Sequence, residues 1–275
     1  MELSGRKISL SAAIGIMIVS INIVAALLAP LLAPHGEAEM VGSIWAPPSD
    51  AFWLGLDNVG RDILSRLLFG ARTTISLAVL ISVISFAIGV TGGFAAAITG
   101  GWVDAVLSRF VDAFMAMPSL IFSLVVLSVF GSSTFVLVVT IAILSSPGVF
   151  RLSRAVALDI AAMDYVEVAR LRGEHLGWIM RREVLPNALP PLIAEFGLRF
   201  CFAVLFIAAL SFLGLGIQPP YADWGGMVRD NAQAVNFGSL APLLPALAIA
   251  QLTIGVNLMI DGFLPENGRA EGEGP

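Results

Sequence analysis

The apolar positions of this chain come in long unbroken runs, not in the one-sided stripes of a soluble helix. Residues 8–33, 73–99, 119–149, 190–216 and 240–262 are almost wholly apolar. A helix needs about 20 such residues to cross the roughly 30 Å hydrocarbon core of a bilayer. The 119–149 run is too long for one crossing and breaks at Gly131-Ser132-Ser133, so it reads as two helices, the second ending near Pro147-Gly148. The pattern therefore predicts six transmembrane helices in an all-α, polytopic membrane bundle. The first run is longer than the apolar core of a cleavable leader, about 7–15 residues. Arg6 and Lys7 precede it, which by the positive-inside rule places the N-terminus in the cytoplasm; six crossings return the C-terminus there.

Between the runs lie polar segments of differing character. Residues 35–72 are loop-like as far as Leu56. Residues 56–72, LDNVGRDILSRLLFGAR, then read as an amphipathic interfacial helix. Asp57 or Asn58 would cap it, Ile63, Leu67 and Leu68 would form its apolar side, and Asp62 and Arg66 an i,i+4 pair. Gly89, Gly92 and Gly93 would let the second span approach a neighbour closely. Gly100-Gly101-Trp102 is a turn, and Asp104, Arg109 and Asp112 flank a rim helix ending at Met117-Pro118.

Residues 151–190 are the one substantial charged island, with Arg151, Arg154, Arg170, Arg172, Arg181 and Arg182 among the chain's 15 basic residues. Val156, Ile160, Met163 and Ala169 fall near one helical face. Gly173 is a stop, because glycine takes the left-handed conformation without steric cost. Leu176, Ile179 and Met180 begin a second helix, which Pro186 would end and after which Pro190-Pro191 would open the fifth span. Glu195 and Arg199 then lie near that span's inner end, where they read as a pair that satisfies itself, the alternative being a pore or subunit-contact pair.

Composition narrows the function. The chain is 57% hydrophobic and 13% charged, against about 45–50% and 25% in soluble domains. A net charge of −5 leaves no basic surface for nucleic acid. Cys201, the single cysteine, permits no intramolecular disulfide and reads as packing. Lys7, the only lysine, sits in no Gly-x4-Gly-Lys-Ser/Thr setting, so the chain carries no P-loop of its own. His35 and His175 are far apart, no metal-ligand spacing occurs, and no nucleophile motif or mid-span acid pair suggests an enzyme. No catalytic residue, metal site or cofactor site is expected.

The motifs carry a resemblance. Glu167-Val168-Ala169, three residues, Gly173, then Leu185-Pro186 resembles the "EAA" coupling loop of ABC importer permeases. Val168 stands where a second Ala is usual, Arg172 where Leu is common, and Glu183 where His or an aliphatic is common. LPNALPPLI, the run GLDNVGRDILSRLLFGARTTISL and the pattern LGLGxQPPxxxWG are similar to the dipeptide/oligopeptide branch, in its second-permease type. The likeness runs from about residue 42 to 262. It implies the ABC type I importer permease fold and multi-pass residence in a bacterial or archaeal inner or plasma membrane. It also implies a domain scheme: 1–34 as the first span, 35–72 as an extracytoplasmic segment, 73–262 as the permease core with a cytoplasmic coupling loop at 151–190, and 263–275 as a cytoplasmic tail.

The resemblance further implies a role: half of a translocation pore for peptides or peptide-like solutes. The implied partners are a second permease forming a heterodimer, two cytoplasmic ATPases that bind ATP and Mg, an extracytoplasmic solute-binding protein, and lipid. The residues it marks are Asp164, Glu167, Ala169, Arg170, Gly173, Leu176, Leu185 and Pro186 in the coupling loop. In the outer segment they are Asp57, Gly60, Arg61, Asp62 and Arg66; in the outer loop Gln218, Pro219, Pro220, Trp224 (read as an interfacial anchor) and Gly225. The competing expectation is a stand-alone secondary transporter or channel that needs no ATPase.

Overall fold

The computed structural model describes residues 9–263, together with the backbone of two-residue strands β1 (Glu2–Leu3) and β2 (Arg6–Lys7), which pair antiparallel. Beyond Phe263 the expected tail lies outside the described residues. The rest is helical: α1 (Leu10–Leu32), α2 (Ile63–Thr99), α3 (Gly101–Met115), α4 (Ser119–Phe130), α5 (Thr134–Ala161), α6 (Asp164–Leu171), α7 (Leu176–Ile179), α8 (Leu185–Phe212), α9 (Trp224–Asp230) and α10 (Leu243–Phe263). A π-helical turn at Met180–Val184 joins α7 to α8, and a 3-10 turn at Ala232–Phe237 follows α9.

Three expected breaks are not breaks. The helix begun at Ile63 runs without interruption to Thr99, so no separate interfacial helix precedes the second span. The α5 helix passes through Pro147 and ends at Ala161, absorbing the first turns of the charged island. Pro186, Pro190 and Pro191 all lie inside one continuous helical stretch, Leu176–Phe212. Proline removes one backbone donor, and within a span the freed carbonyl needs another partner. Pro147 would have bonded the carbonyl of Ile143, and the hydroxyl of Ser146 donates to that oxygen instead, at 2.8 Å. Ahead of Pro186 the π-turn widens the ladder, with the Leu185 amide reaching the Met180 carbonyl, which eases the proline ring past the preceding turn.

The expected six spans are reached when one bent helix pair is counted as a crossing. Among the described residues five helices are long and apolar enough to cross a membrane. A sixth crossing needs α3 and α4 together, and these are bent by 83°. Alone, the 12 residues of α4 reach about 18 Å, short of the hydrocarbon thickness.

The chain forms two compact units. In the unit of residues 1–76 and 207–275, α1 lies along α10 so closely that a Cβ on Gly15 would fall 2.5 Å from the Met259 amide nitrogen. A polar clamp pins this pair: Nε2 of Gln251 donates to Oδ1 of Asn22 at 3.0 Å. In the unit of residues 77–206, α2 meets α5 at the glycines expected to allow close approach. A Cβ on Gly93 would lie 2.7 Å from the Phe150 carbonyl oxygen, and one on Gly89 2.5 Å from Cβ of Val149. On the other side of α5, Arg154 forks onto both oxygens of Asp104, at 2.5 and 2.6 Å, and Arg151 meets Asp112 at 3.2 Å, tying α3 to α5.

The α2–α5 contact generates a prediction. Gly93→Leu forces side-chain atoms into the Phe150–Ser153 backbone, an overpacking cost of about 1–3 kcal/mol. Thermal unfolding in detergent should show a clear drop in Tm for Gly93→Leu, while Gly177→Ala, where a Cβ would meet only His175 at ordinary contact distance, should move it less.

Candidate functional site

The charged island folds into a compact hairpin. The α5 helix ends at Ala161, Met163 takes an extended conformation, and α6 begins at Asp164. Asp164 and Glu167 lie in the first turn of α6, where the helix dipole favours acids, and Arg170 lies in its last turn, where it favours cations. The helix closes with a Schellman motif. The Gly173 amide donates to Arg170 at 2.9 Å and the Glu174 amide to Ala169 at 3.2 Å. This geometry requires positive φ at Gly173, and it is +79°. Nothing lies within 4 Å of a Cβ placed there, so glycine is needed for its conformation and not for room. His175 then caps α7, its Nδ1 accepting from the Trp178 amide at 2.9 Å, and the Arg172 guanidinium lies over the Trp178 ring at 5.8 Å.

One face of the hairpin is sealed. Val166, Ala169, Ile179 and Val184 are wholly buried, in one apolar cluster with Phe94 and Ile98 of α2 and Ile160 of α5. Ala169 falls on this face as expected, but Met163 is half exposed and Val166 takes its place. The short extended residue at Met163 breaks the α5 register, so a face drawn as one helix through 156–169 fails there. Val166 and Ala169, spaced i,i+3, were the available signal.

The opposite face is open. Asp164, Glu167, Arg170, Gly173, Leu176 and Pro186 are exposed, and Leu171 is 81% exposed although apolar. Glu167, Arg170 and Leu171, with Ala161 and Ala162, surround a shallow depression of about 410 Å³. Among the described residues Glu167 caps nothing and forms no salt bridge. Leu185 and Pro186 do not terminate the hairpin; they are the first residues of α8.

The outer-segment residues occupy a second, quite different place. They are not an exposed amphipathic surface but a buried polar knot. Asp57, Arg61, Asp62 and Arg66 are each at most 9% exposed. Neither Asp57 nor Asn58 caps α2. Asp57 instead closes the turn before it, its Oδ1 accepting from the Val59 and Arg61 amides at 2.9 Å each. Its Oδ2 takes the Arg61 Nε at 2.7 Å and faces the Arg66 Nε at 3.3 Å, replacing the expected Asp62–Arg66 pair. Asp62 is the cap, accepting from the amide and hydroxyl of Ser65. Gly60, at φ +81°, makes the tight turn possible.

In the outer loop Gln218, Pro219 and Pro220 are exposed. Trp224 is not an interfacial anchor: it is 1% exposed and its Nε1 donates to the Leu67 carbonyl at 3.1 Å, locking α9 onto the start of α2. Gly225 sits against the Ala208 backbone. Burial pushes the Asp223 carboxyl above the ordinary carboxylate range, opposed by the Gly226 amide that it caps. Among the described residues no group of three or more potential metal ligands occurs.

Residues 88–265, which include the whole hairpin, match the family described as binding-protein-dependent transport system inner membrane component. The chain belongs to that family. Among relatives, it is 38% identical to a dipeptide transport system permease protein of Escherichia coli over 259 residues, covering 92% of this chain and 86% of the relative. It is 35% identical to a di/tripeptide transport system permease protein of Pseudomonas aeruginosa over 256 residues, 90% and 84% of the two chains. It is 34% identical to a glutathione transport system permease protein of Pectobacterium atrosepticum over 216 residues, 78% and 72% of the two. A crystal structure of an amino acid ABC transporter with histidines shares the fold, with a TM-score of 0.52 at 22% identity over 72% of this chain and 90% of that one. The chain is therefore a multi-pass inner-membrane permease subunit of an ABC importer, a transport component and not a catalyst, and the stand-alone carrier or channel gives way.

Two predictions follow from the permease's hairpin and knot. Ala169→Leu should lower stability by about 1–3 kcal/mol in detergent unfolding, whereas Leu171→Ser, on the open face, should stay within about 0.5 kcal/mol. Asp57→Ala leaves two buried guanidinium groups without their carboxylate and should cost about 3–5 kcal/mol, seen as loss of membrane-inserted, protease-resistant protein.

Proposed function

We propose that this permease is one half of the pore of a peptide importer, and that the 151–190 hairpin is the grip through which separate ATPases drive it. The observation that carries this reading is the two-faced hairpin. One face is sealed against α2 and α5, so a force on it moves helices and does not merely bend a loop. The other face offers Glu167, Arg170 and Leu171 around an open depression with nothing of this chain to fill it. An exposed leucine with Glu167 and Arg170 at its edge suits an apolar contact with a polar rim.

The remaining assembly follows from the same reading. A second permease of similar fold completes the pore as a heterodimer, and two ATPases holding ATP and Mg bind at the hairpins. The hairpin's arginines and Arg6-Lys7 favour the cytoplasm, which turns the 35–62 cap and the 213–240 loop toward an extracytoplasmic solute-binding protein. Relatives named for dipeptide, di/tripeptide and glutathione transport support a peptide or peptide-like solute.

The test is made on the complex purified from membranes with its ATPases. Leu171→Asp should reduce co-purifying ATPase about tenfold or more while the permease still inserts; undiminished co-purification would remove the hairpin from the interface. At Gly173, valine should abolish uptake, because a β-branched residue at φ +79° adds at least the roughly 1–2 kcal/mol of a left-handed L-residue, while asparagine, which tolerates that region, should retain most of it.

A further inference from the structure

Among the five long helices, Glu195 and Arg199 are the only charged residues more than ten positions from both ends of a candidate span. The helix starts at Leu176 and not at Pro190, so the pair stands inside a continuous helix and not at its start. Their depth is fixed by a neighbour. The Arg199 guanidinium lies flat against Gly148 of α5, where a Cβ would fall 2.7 Å from its Cζ. Gly148 is fourteen residues along α5 from Thr134, about 21 Å at 1.5 Å per residue, which leaves the pair about 9 Å from the inner edge of a roughly 30 Å core.

An ion pair at that depth is costly unless it faces the bundle interior or water. Arg199 Nε donates to Glu195 Oε1 at 2.5 Å. Among the described residues this is the only polar partner of either side chain, so the two terminal nitrogens of Arg199 and the second oxygen of Glu195 remain free. Neither end is sealed: the side chains keep 27% and 12% of their surface. One turn before Gly148 on the same flank of α5, the hydroxyl of Ser145 is buried with no partner. A pair whose only purpose was to cancel itself would leave no unused donors at this depth.

We propose that Arg199, oriented by Glu195 and seated on Gly148, is a solute-recognition residue within the pathway, its free guanidinium edge meeting the carboxylate of a peptide in transit. The planar fork matches a carboxylate in two parallel hydrogen bonds, and the free oxygen of Glu195 suits an ammonium. A zwitterionic peptide answers both. This inference rests on the peptide reading above.

The test uses proteoliposomes holding the full importer, with labelled alanyl-phenylalanine delivered by the importer's solute-binding protein. Peptide moved and ATP hydrolysed are measured together. Arg199→Gln should lower peptide moved per ATP about tenfold or more, the loss of a charged hydrogen-bonded contact. Arg199→Lys, which keeps the charge, should recover much of it, and the doubly neutral Glu195→Gln/Arg199→Gln should not. Recovery in the double variant would overturn the proposal, since cancelling charge would then suffice. So would a parallel fall in ATP hydrolysis and in recovered partner permease, the mark of a subunit contact. If the unaltered importer moves no dipeptide from a mixed labelled panel, the peptide reading falls and takes this proposal with it; if it moves dipeptide and Arg199→Gln is indifferent, only this proposal falls.

Discussion

Hydrocarbon offers no hydrogen bonds, and that single constraint governs most of what this chain does. A backbone carbonyl freed in water finds a solvent molecule; freed in a span it must find the protein. Helices here therefore continue wherever continuation can be arranged. Pro147 is carried by the Ser146 hydroxyl on the Ile143 carbonyl, and Pro186 by a π-turn that shifts the ladder by one residue. In a soluble protein the same prolines would be good evidence for helix ends. In this chain Pro147 marks a place where a neighbouring hydroxyl has taken over a bond.

The same constraint sorts the polar side chains into three solutions. Asn22 and Gln251 are neutral and satisfy each other across α1 and α10. The Asp57 knot is charged but its charges offset within the chain, one carboxylate facing two guanidinium groups and two amides. Glu195 and Arg199 are charged and do not close. Cost in hydrocarbon rises along this series, and the functional reading becomes more demanding with it. A neutral clamp explains itself by packing and the knot by the fold of the cap above α2. An open pair inside a span is left to be explained by what passes it.

Much of this was legible in the residues. Run length alone named the spans, because the length of apolar sequence needed to cross a bilayer is set by the bilayer. Gly173 was legible because a Schellman close demands a left-handed residue and glycine is the natural one. Gly89 and Gly93 were legible for the same kind of reason, since a missing side chain between two helices has few other uses. What was not legible depended on long-range partners. That Asp57 would take Arg66 and leave Asp62 to cap could not be read from an i,i+4 spacing that looked complete. That Trp224 would be buried could not be read from its place in a loop, because its partner, the Leu67 carbonyl, is 157 residues away. The prolines misled because their cost is set by neighbours and not by proline.

The continuity of the stretch from Leu176 to Phe212 has a mechanical consequence. A helix is stiff over this length, and small residues or bulges are where it yields. Between the hairpin turn at Gly173 and the Glu195–Arg199 pair there is no loop, only α7, one π-turn and the first part of α8. Val166 and Ala169 of α6 and Ile179 and Val184 beyond the turn share one buried cluster, so the two limbs of the hairpin must move together. With the hairpin as grip, a displacement there reaches Arg199 along a rod, with the π-turn at Met180–Val184 as the point of give. Arg199 is meanwhile pinned against α5 at Gly148. A rod driven at one end and held by the flat contact of Arg199 on Gly148 shifts between discrete positions more readily than it slides. The charged pair would then sit where motion of the hairpin is converted into a change in what the pathway presents.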